Sequence, residues 1–215
     1  MSLSPDPADV PEPCVFVIDD DAAVLNSLKL LLRADGLRVE GFLSAADFLD
    51  RITPGQHGCV VTDVLMPGID GIELIRRLRA RGARLPVIVM TGHADISAAV
   101  QAMKAGASEF IEKPFESGRI LHMVHALIDQ DRSAFEVRTS RDRARRRLAE
   151  LSLRERQVFD CIVEGAANKA AAAQLGISPR TVEIYRAKVM IKLQAESLSD
   201  LVRLAMAAEE SPKRT

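Results

Sequence analysis

Short apolar runs and longer stretches with apolar residues at helical spacing alternate through the first 130 positions. The run Cys14-Val15-Phe16-Val17-Ile18 has no polar interruption, the pattern of a strand covered on both faces of a parallel sheet. Residues 22–34 follow with leucines at helical spacing. Similar pairs recur: 38–42 then 45–50, 58–62 then 71–80, 86–90 then 96–105, and 109–111 then 117–129. Five strands alternating with five helices predict an α/β fold, a five-stranded doubly wound parallel sheet whose ligands bind outside the carboxyl ends of the strands.

From residue 148 onward the pattern is helical only, with segments at 153–164, 169–175, 179–193 and 199–208. A small all-α domain is expected over 148–210. Between the two, residues 131–147 are polar and rich in arginine and lack a full apolar face. They read as a linker that either extends the preceding helix or tethers the domains flexibly. Residues 1–13 hold four of the ten prolines and read as a flexible tail. The organisation is therefore tail 1–13, α/β domain 14–130, linker 131–147 and helical domain 148–210.

Charge sharpens this division. The net charge of −1 combines 12 basic and 18 acidic residues up to position 130, a net of −6, with 17 basic and 12 acidic beyond it, a net of +5. The second part is suited to a polyanion. A hydrophobic content of 47% excludes a disordered chain. Cys14, Cys59 and Cys161 lie in apolar runs without metal-ligand spacing, and neither a secretory pattern nor a long apolar span is seen. The expectation is a cytoplasmic protein without a membrane segment.

The candidate chemistry lies at the predicted strand ends. Asp19, Asp20 and Asp21 follow the first strand and Asp63 ends the third. Topology brings these ends together, and clustered carboxylates repel unless a hard cation offsets their charge. Thr91 closes the fourth strand and Lys113-Pro114 follows the fifth, offering a hydroxyl and an ammonium to phosphoryl oxygens. Each piece alone has an ordinary reading, as helix cap, turn residue or solvated loop. Their convergence at the ends of strands one, three, four and five points to a divalent-metal phosphoryl site.

The motifs Val17-Ile18-Asp19-Asp20-Asp21, Asp63-Val64-Leu65-Met66-Pro67-Gly68, Met90-Thr91-Gly92-His93 and Phe110-Ile111-Glu112-Lys113-Pro114-Phe115 resemble those of response-regulator receivers, which are flavodoxin-like. The resemblance covers about residues 14–130. It implies that Asp63 is the phosphoacceptor and that Asp19, Asp20, Asp63 and the backbone carbonyl of Leu65 hold Mg2+. It also implies that Lys113 contacts the phosphoryl group, that Thr91 closes on it and that Phe110 turns inward. The face of the fourth helix and fifth strand then dimerises, with a sensor histidine kinase as donor. Leu65 and His93 occupy positions that border the path of the hydrolytic water in that family, and apolar Leu65 is expected to slow phosphoryl loss.

In the helical part, Ser152 and Glu155 have capping-box spacing, and Gly176-Ile177 followed by Ser178-Pro179 reads as a turn, a cap and a first helical proline. The helix opened by Pro179 carries Arg180, Arg186, Lys188 and Lys192, a cationic surface suited to phosphates. Asn168-Lys169, Gly176-Ile177-Ser178, Thr181-Val182-Glu183 and Leu201-Val202 resemble the helix-turn-helix of the LuxR and NarL class. Paired with this receiver, they resemble the FixJ branch. The resemblance places residues 179–193 in the major groove, with Glu183, Ile184 and Ala187 near base edges and Arg180, Thr181, Arg186 and Lys188 near phosphates. Glu183 suits either a cytosine amino group or an arginine within the protein. Ala170, Ala171 and Tyr185 depart from the family pattern, which puts the scaffold helix and one phosphate contact in question. The last helix offers Leu201, Leu204 and Ala205 for dimerisation or for the core.

The resulting expectation is a phosphorylation-dependent transcription regulator, an activator acting on double-stranded promoter DNA with RNA polymerase, homodimeric once phosphorylated and not a dedicated enzyme. A metal-dependent phosphohydrolase is the enzymatic alternative, but it lacks a second acid at Leu65 and leaves the basic helices idle. An adaptor that binds protein or RNA is the third reading.

Overall fold

The structure is a computed structural model that describes residues 12–53, 55–92 and 96–209. Most of the proline-rich tail and the His93 position lie outside the described residues. Two compact units divide the described chain between residues 135 and 136.

The first unit begins with β1 (Cys14–Ile18), α1 (Ala22–Ala34), β2 (Arg38–Phe42), α2 (Ala45–Arg51), β3 (Gly58–Asp63), α3 (Gly71–Ala80), β4 (Val87–Thr91), α4 (Ile96–Ala105) and β5 (Glu109–Glu112). Helix α5 (Ser117–Ala149) starts in this unit and continues into the second. All strands are parallel, in the order β2-β1-β3-β4-β5. The predicted doubly wound sheet is present.

Alternate residues of each strand feed two cores. Cys14, Phe16 and Ile18 pack with Phe48 of α2 and with Ile72, Leu74, Ile75 and Leu78 of α3. Val15 and Val17 pack with Leu25, Leu28 and Leu32 of α1 and with Ile120, Val124, Leu127 and Ile128 of α5. Burial of each such side chain contributes roughly 1.5–3 kcal/mol, which explains why these strands need apolar residues on both faces. The strand order reverses between β1 and β3, the switch point where ligands of such sheets bind.

A close backbone approach fixes the start of β3. Gly58 has φ +131°, and a Cβ there would lie 2.0 Å from the Cys14 carbonyl oxygen, so only glycine fits. The Gly58 N–H donates to the buried carboxylate of Asp131 at 2.9 Å, while the ring of His57 stacks on Phe135 with centroids 4.5 Å apart. These contacts tie α5 to the sheet.

The second unit contains the end of α5 with α6 (Leu153–Val163), α7 (Asn168–Leu175), α8 (Pro179–Lys192) and α9 (Leu198–Glu209). Ala144 and Leu148 of α5 share its core with Val158, Phe159, Ile162, Val182, Val189, Leu193, Leu201 and Leu204. Arg147 donates to the carbonyl of Leu193, and Arg145 donates to that of Ala208 at 3.0 Å. Arginines near residue 147 thus cap the carbonyl ends of α8 and α9.

Candidate phosphoryl site and nucleic-acid interface

The carboxyl ends of β1 and β3 flank the switch point, and each ends in an aspartate. Asp19 is buried; its Oδ1 accepts the Asp21 N–H at 2.9 Å. Asp63 is partly buried; its Oδ2 accepts the Leu65 N–H at 3.1 Å. Lys113, just beyond β5, donates through Nζ to Asp19 Oδ2 at 2.9 Å and to Asp63 Oδ1 at 2.8 Å. Burial alone would depress the Lys113 pKa. The hydrogen bonds and charges of Asp63 and Asp19 outweigh it, and the pKa is raised above the ordinary lysine value.

Local backbone directs these groups inward. The Lys113 N–H donates to the Thr91 carbonyl at 2.6 Å, which extends the β4–β5 pairing to the lysine itself. The amino end of α3 packs directly on the end of β3: Gly71 N–H donates to the Val64 carbonyl at 2.9 Å, and a Cβ on Gly71 would lie 2.2 Å from the Asp63 carbonyl oxygen. Asp70 caps α3 by accepting the Glu73 N–H at 2.7 Å. Around this centre Thr91 is buried, Phe110 is half-buried, Asp20 is exposed and Leu65 is 75% exposed.

Among the described residues no three carboxylate, imidazole or thiol side chains form a metal-sized cluster. The donors that converge are Asp19 and Asp63, with Asp20 and the Leu65 carbonyl adjacent in sequence. An all-oxygen set of one or two carboxylates suits Mg2+, which keeps several of its waters.

In the second unit α7 ends at Gly176, left-handed at φ 66°. Ser178 then caps α8 by accepting the Thr181 N–H at 3.1 Å, with Pro179 at the first helical position. Val182 and Val189 are fully buried, whereas Arg180, Glu183, Ile184, Ala187 and Lys188 are exposed on the other side, with Thr181 half-buried. Five of the seven candidate DNA-contacting residues thus share one solvent-facing stripe of a capped helix that follows a tight turn.

Comparison with known proteins agrees with this geometry. Residues 15–125 match the response regulator receiver domain family. The chain belongs to the response-regulator family. Residues 149–205 of the regulator match the family of bacterial regulatory proteins of the luxR type, which makes it a transcription regulator of the two-component class rather than a dedicated enzyme. It is 52% identical over 198 residues to the transcriptional regulatory protein FixJ of Azorhizobium caulinodans, covering 92% of this chain and 94% of that one. It is 44% identical to FixJ of Rhizobium meliloti, covering 92% and 97%. Among solved structures it is similar to the response regulator StyR, with a TM-score of 0.83, 40% identity and coverage of 91% and 99%. It is also similar to full-length FixJ of B. japonicum, with a TM-score of 0.55, 48% identity and coverage of 91% and 97%. Among the described residues no helix is long and apolar enough to cross a membrane.

Several side chains of the regulator have partners that sequence did not indicate. Lys192, expected on the cationic surface, donates to Glu155 at 2.7 Å. Glu155 in turn accepts the Ser152 N–H at 2.8 Å, which completes the capping box. These bonds, that of Lys192 foremost, hold the Glu155 pKa at about 2. Arg186, expected at a phosphate, is half-buried and donates to Asn168 Oδ1 at 3.3 Å. Glu183 makes no ion pair among the described residues, so the internal arginine partner is not found. Helix α7 forms despite the two alanine departures: Ala171 is buried in the core, whereas Ala170 is exposed. Tyr185 packs against that core, with Lys188 Nζ 5.6 Å from its ring centroid. Leu201 and Leu204 are buried as well, so core packing accounts for these two positions of α9. Sequence reading missed Ile191, which is 76% exposed on α8; an isoleucine at helical spacing reads as core.

Proposed function

We propose that this regulator is switched by phosphorylation of Asp63 and that the phosphorylated form binds promoter DNA through α8. The observation that carries the reading is Lys113, whose ammonium bridges Asp63 and Asp19 at the switch point. That arrangement supplies a nucleophilic carboxylate and a cation beside it in a partly dry site.

In this reading the Asp63 carboxylate attacks the phosphorus of a phosphohistidine on a sensor histidine kinase. The P–N bond breaks, a P–O bond to Asp63 forms, and the donor imidazole takes up a proton. The Lys113 ammonium moves from the carboxylates to the new phosphoryl oxygens. Asp19, Asp20, Asp63 and the Leu65 carbonyl would hold Mg2+, which when bound supplies positive charge to the phosphoryl oxygens. The Thr91 hydroxyl closes on the phosphoryl group and Phe110 turns inward behind it. Both residues sit on strands neighbouring α4, so their movement reshapes the face of α4 and β5. Val100 and Met103 of α4 are about half exposed, apolar surface that suits a dimer formed on phosphorylation.

Dimers of the regulator then engage two half-sites of double-stranded promoter DNA. Glu183, Ile184 and Ala187 face base edges, while Arg180, Thr181, Lys188 and Arg186 lie at the phosphates, Arg186 after leaving Asn168. The output is transcription activation with RNA polymerase, in the cytoplasm. The test is intact-mass analysis after acetyl phosphate and Mg2+. A one-phosphoryl mass gain in wild type that disappears in Asp63→Asn supports the assignment; labelling of both proteins contradicts it.

A further inference from the structure

The DNA-facing side of α8 is apolar along its middle, where a merely solvated helix would carry charge. With about 100° per residue, Ala187, Arg180, Ile191 and Ile184 fall within an arc of about 60°, opposite Val182 and Val189. Glu183 and Lys188 border that arc on its two sides. Ile184 is 51% exposed and Ile191 is 76% exposed, while Val182 and Val189 are fully buried. The core therefore does not account for the isoleucines.

We infer that Ile184, Ala187 and Ile191 read thymine by packing on its C5-methyl groups in the major groove, making them specificity-determining residues of this regulator. The inference rests on the proposed binding of promoter DNA through α8. The occupant is chosen by charge as well as by apolar surface. The rib has Arg180 at its amino end and Lys188 alongside, and the chain from residue 131 onward carries a net +5, so the approaching surface is anionic. The apolar group that a DNA duplex offers in its major groove is the thymine methyl. Ile184 and Ile191 stand two turns apart, about 10 Å along the axis, so they meet different base pairs. Ala187 between them is short enough to let the helix approach closely. The branched side chains are also stiff, and little conformational freedom is lost on contact.

The test uses the full chain with beryllofluoride and Mg2+ on a duplex selected by this protein from a random pool. Each thymine is then replaced singly by uracil, which removes only the methyl group. At the contacted thymines wild type should lose about fourfold in affinity, the factor equivalent to about 0.8 kcal/mol per buried methylene. Ile184→Ala should bind the thymine duplex at least as weakly as wild type binds the uracil one, and should be indifferent to uracil at its own position. Ile191→Ala should show the same indifference at a different thymine. Both residues are exposed, so unchanged melting is expected and confirms that the variants fold. Specific binding unaffected by uracil at every position overturns this inference and leaves the proposed function standing. Absence of any sequence-specific duplex binding by wild type overturns the proposed function itself. A shift in mass in solution with unchanged DNA binding in Ile184→Ala assigns the rib to a protein contact and likewise overturns the inference.

Discussion

Replacing Gly71 by alanine sets two effects of opposite sign against each other. As the first residue of α3, alanine in place of glycine favours the helix by roughly 0.5–1 kcal/mol. The added Cβ would stand 2.2 Å from the Asp63 carbonyl oxygen, 3.1 Å from its carbon and 3.2 Å from Val64 Cα. These are backbone atoms, which cannot swing aside as a side-chain tip can. Restoring ordinary contact requires α3 or the end of β3 to move by about 1 Å, a displacement that costs on the order of 100-fold when it misplaces a reacting group. In the variant the Gly71 N–H bond to the Val64 carbonyl, 2.9 Å in wild type, would be strained as well, with about 1 kcal/mol at stake. Gly71→Ala should therefore be destabilised despite its better helix propensity, and Asp63 should be phosphorylated by acetyl phosphate at least tenfold more slowly. Gly118→Ala is the control, since a Cβ there meets nothing within 4 Å; it should melt no lower than wild type and label normally. Rates come from intact mass and stability from thermal melting. A Gly71→Ala protein that melts higher and labels at the wild-type rate would refute the close-approach argument.

Other substitutions test single contacts. Glu155 has its pKa lowered from the ordinary carboxylate range to about 2 by Lys192 and Ser152, so its contribution to stability is present above pH about 4.5 and is lost as pH falls toward 2; Glu155→Gln should weaken the second unit near pH 7 and flatten that acid limb in calorimetry. Lys113 has its pKa raised by Asp63 and Asp19, so its contribution holds through neutral pH and fades only as pH rises beyond the ordinary lysine range. Lys113→Met should remove that alkaline dependence and slow labelling of Asp63, and an unchanged labelling rate would contradict the assigned contact. Leu65, 75% exposed two residues beyond Asp63, is expected to slow phosphoryl loss, so Leu65→Asn should shorten the phosphoryl lifetime; an equal or longer lifetime counts against that role.

The sheet and its site were legible because a parallel strand buried on both faces must be apolar, so the first charged residue after each run marks a strand end. Asp19 and Asp63 were found this way, and Lys113 by its place after the last strand. For residues 131–147 the sequence left a helical extension and a flexible tether both open, and the structure has α5 run on to Ala149. Beyond Asp131 its buried positions shrink to Ala144 and Leu148, too few for a recognisable stripe, and its arginines serve carbonyls at the ends of α8 and α9. Charge alone also cannot reveal who is paired with whom. Lys192 and Arg186 looked like phosphate contacts because Glu155 and Asn168 lie far away in sequence, and Ile191 drew no notice because periodicity records apolarity and not the direction it faces.

The central claim, that phosphorylation of Asp63 controls DNA binding, is tested most directly by measuring duplex affinity and solution mass together, with and without beryllofluoride and Mg2+, for wild type and Asp63→Asn. The account predicts that wild type dimerises and binds its selected duplex more tightly on treatment while Asp63→Asn stays monomeric and unresponsive. Equal mass and equal affinity in all four conditions would contradict it and make this a constitutive DNA-binding protein.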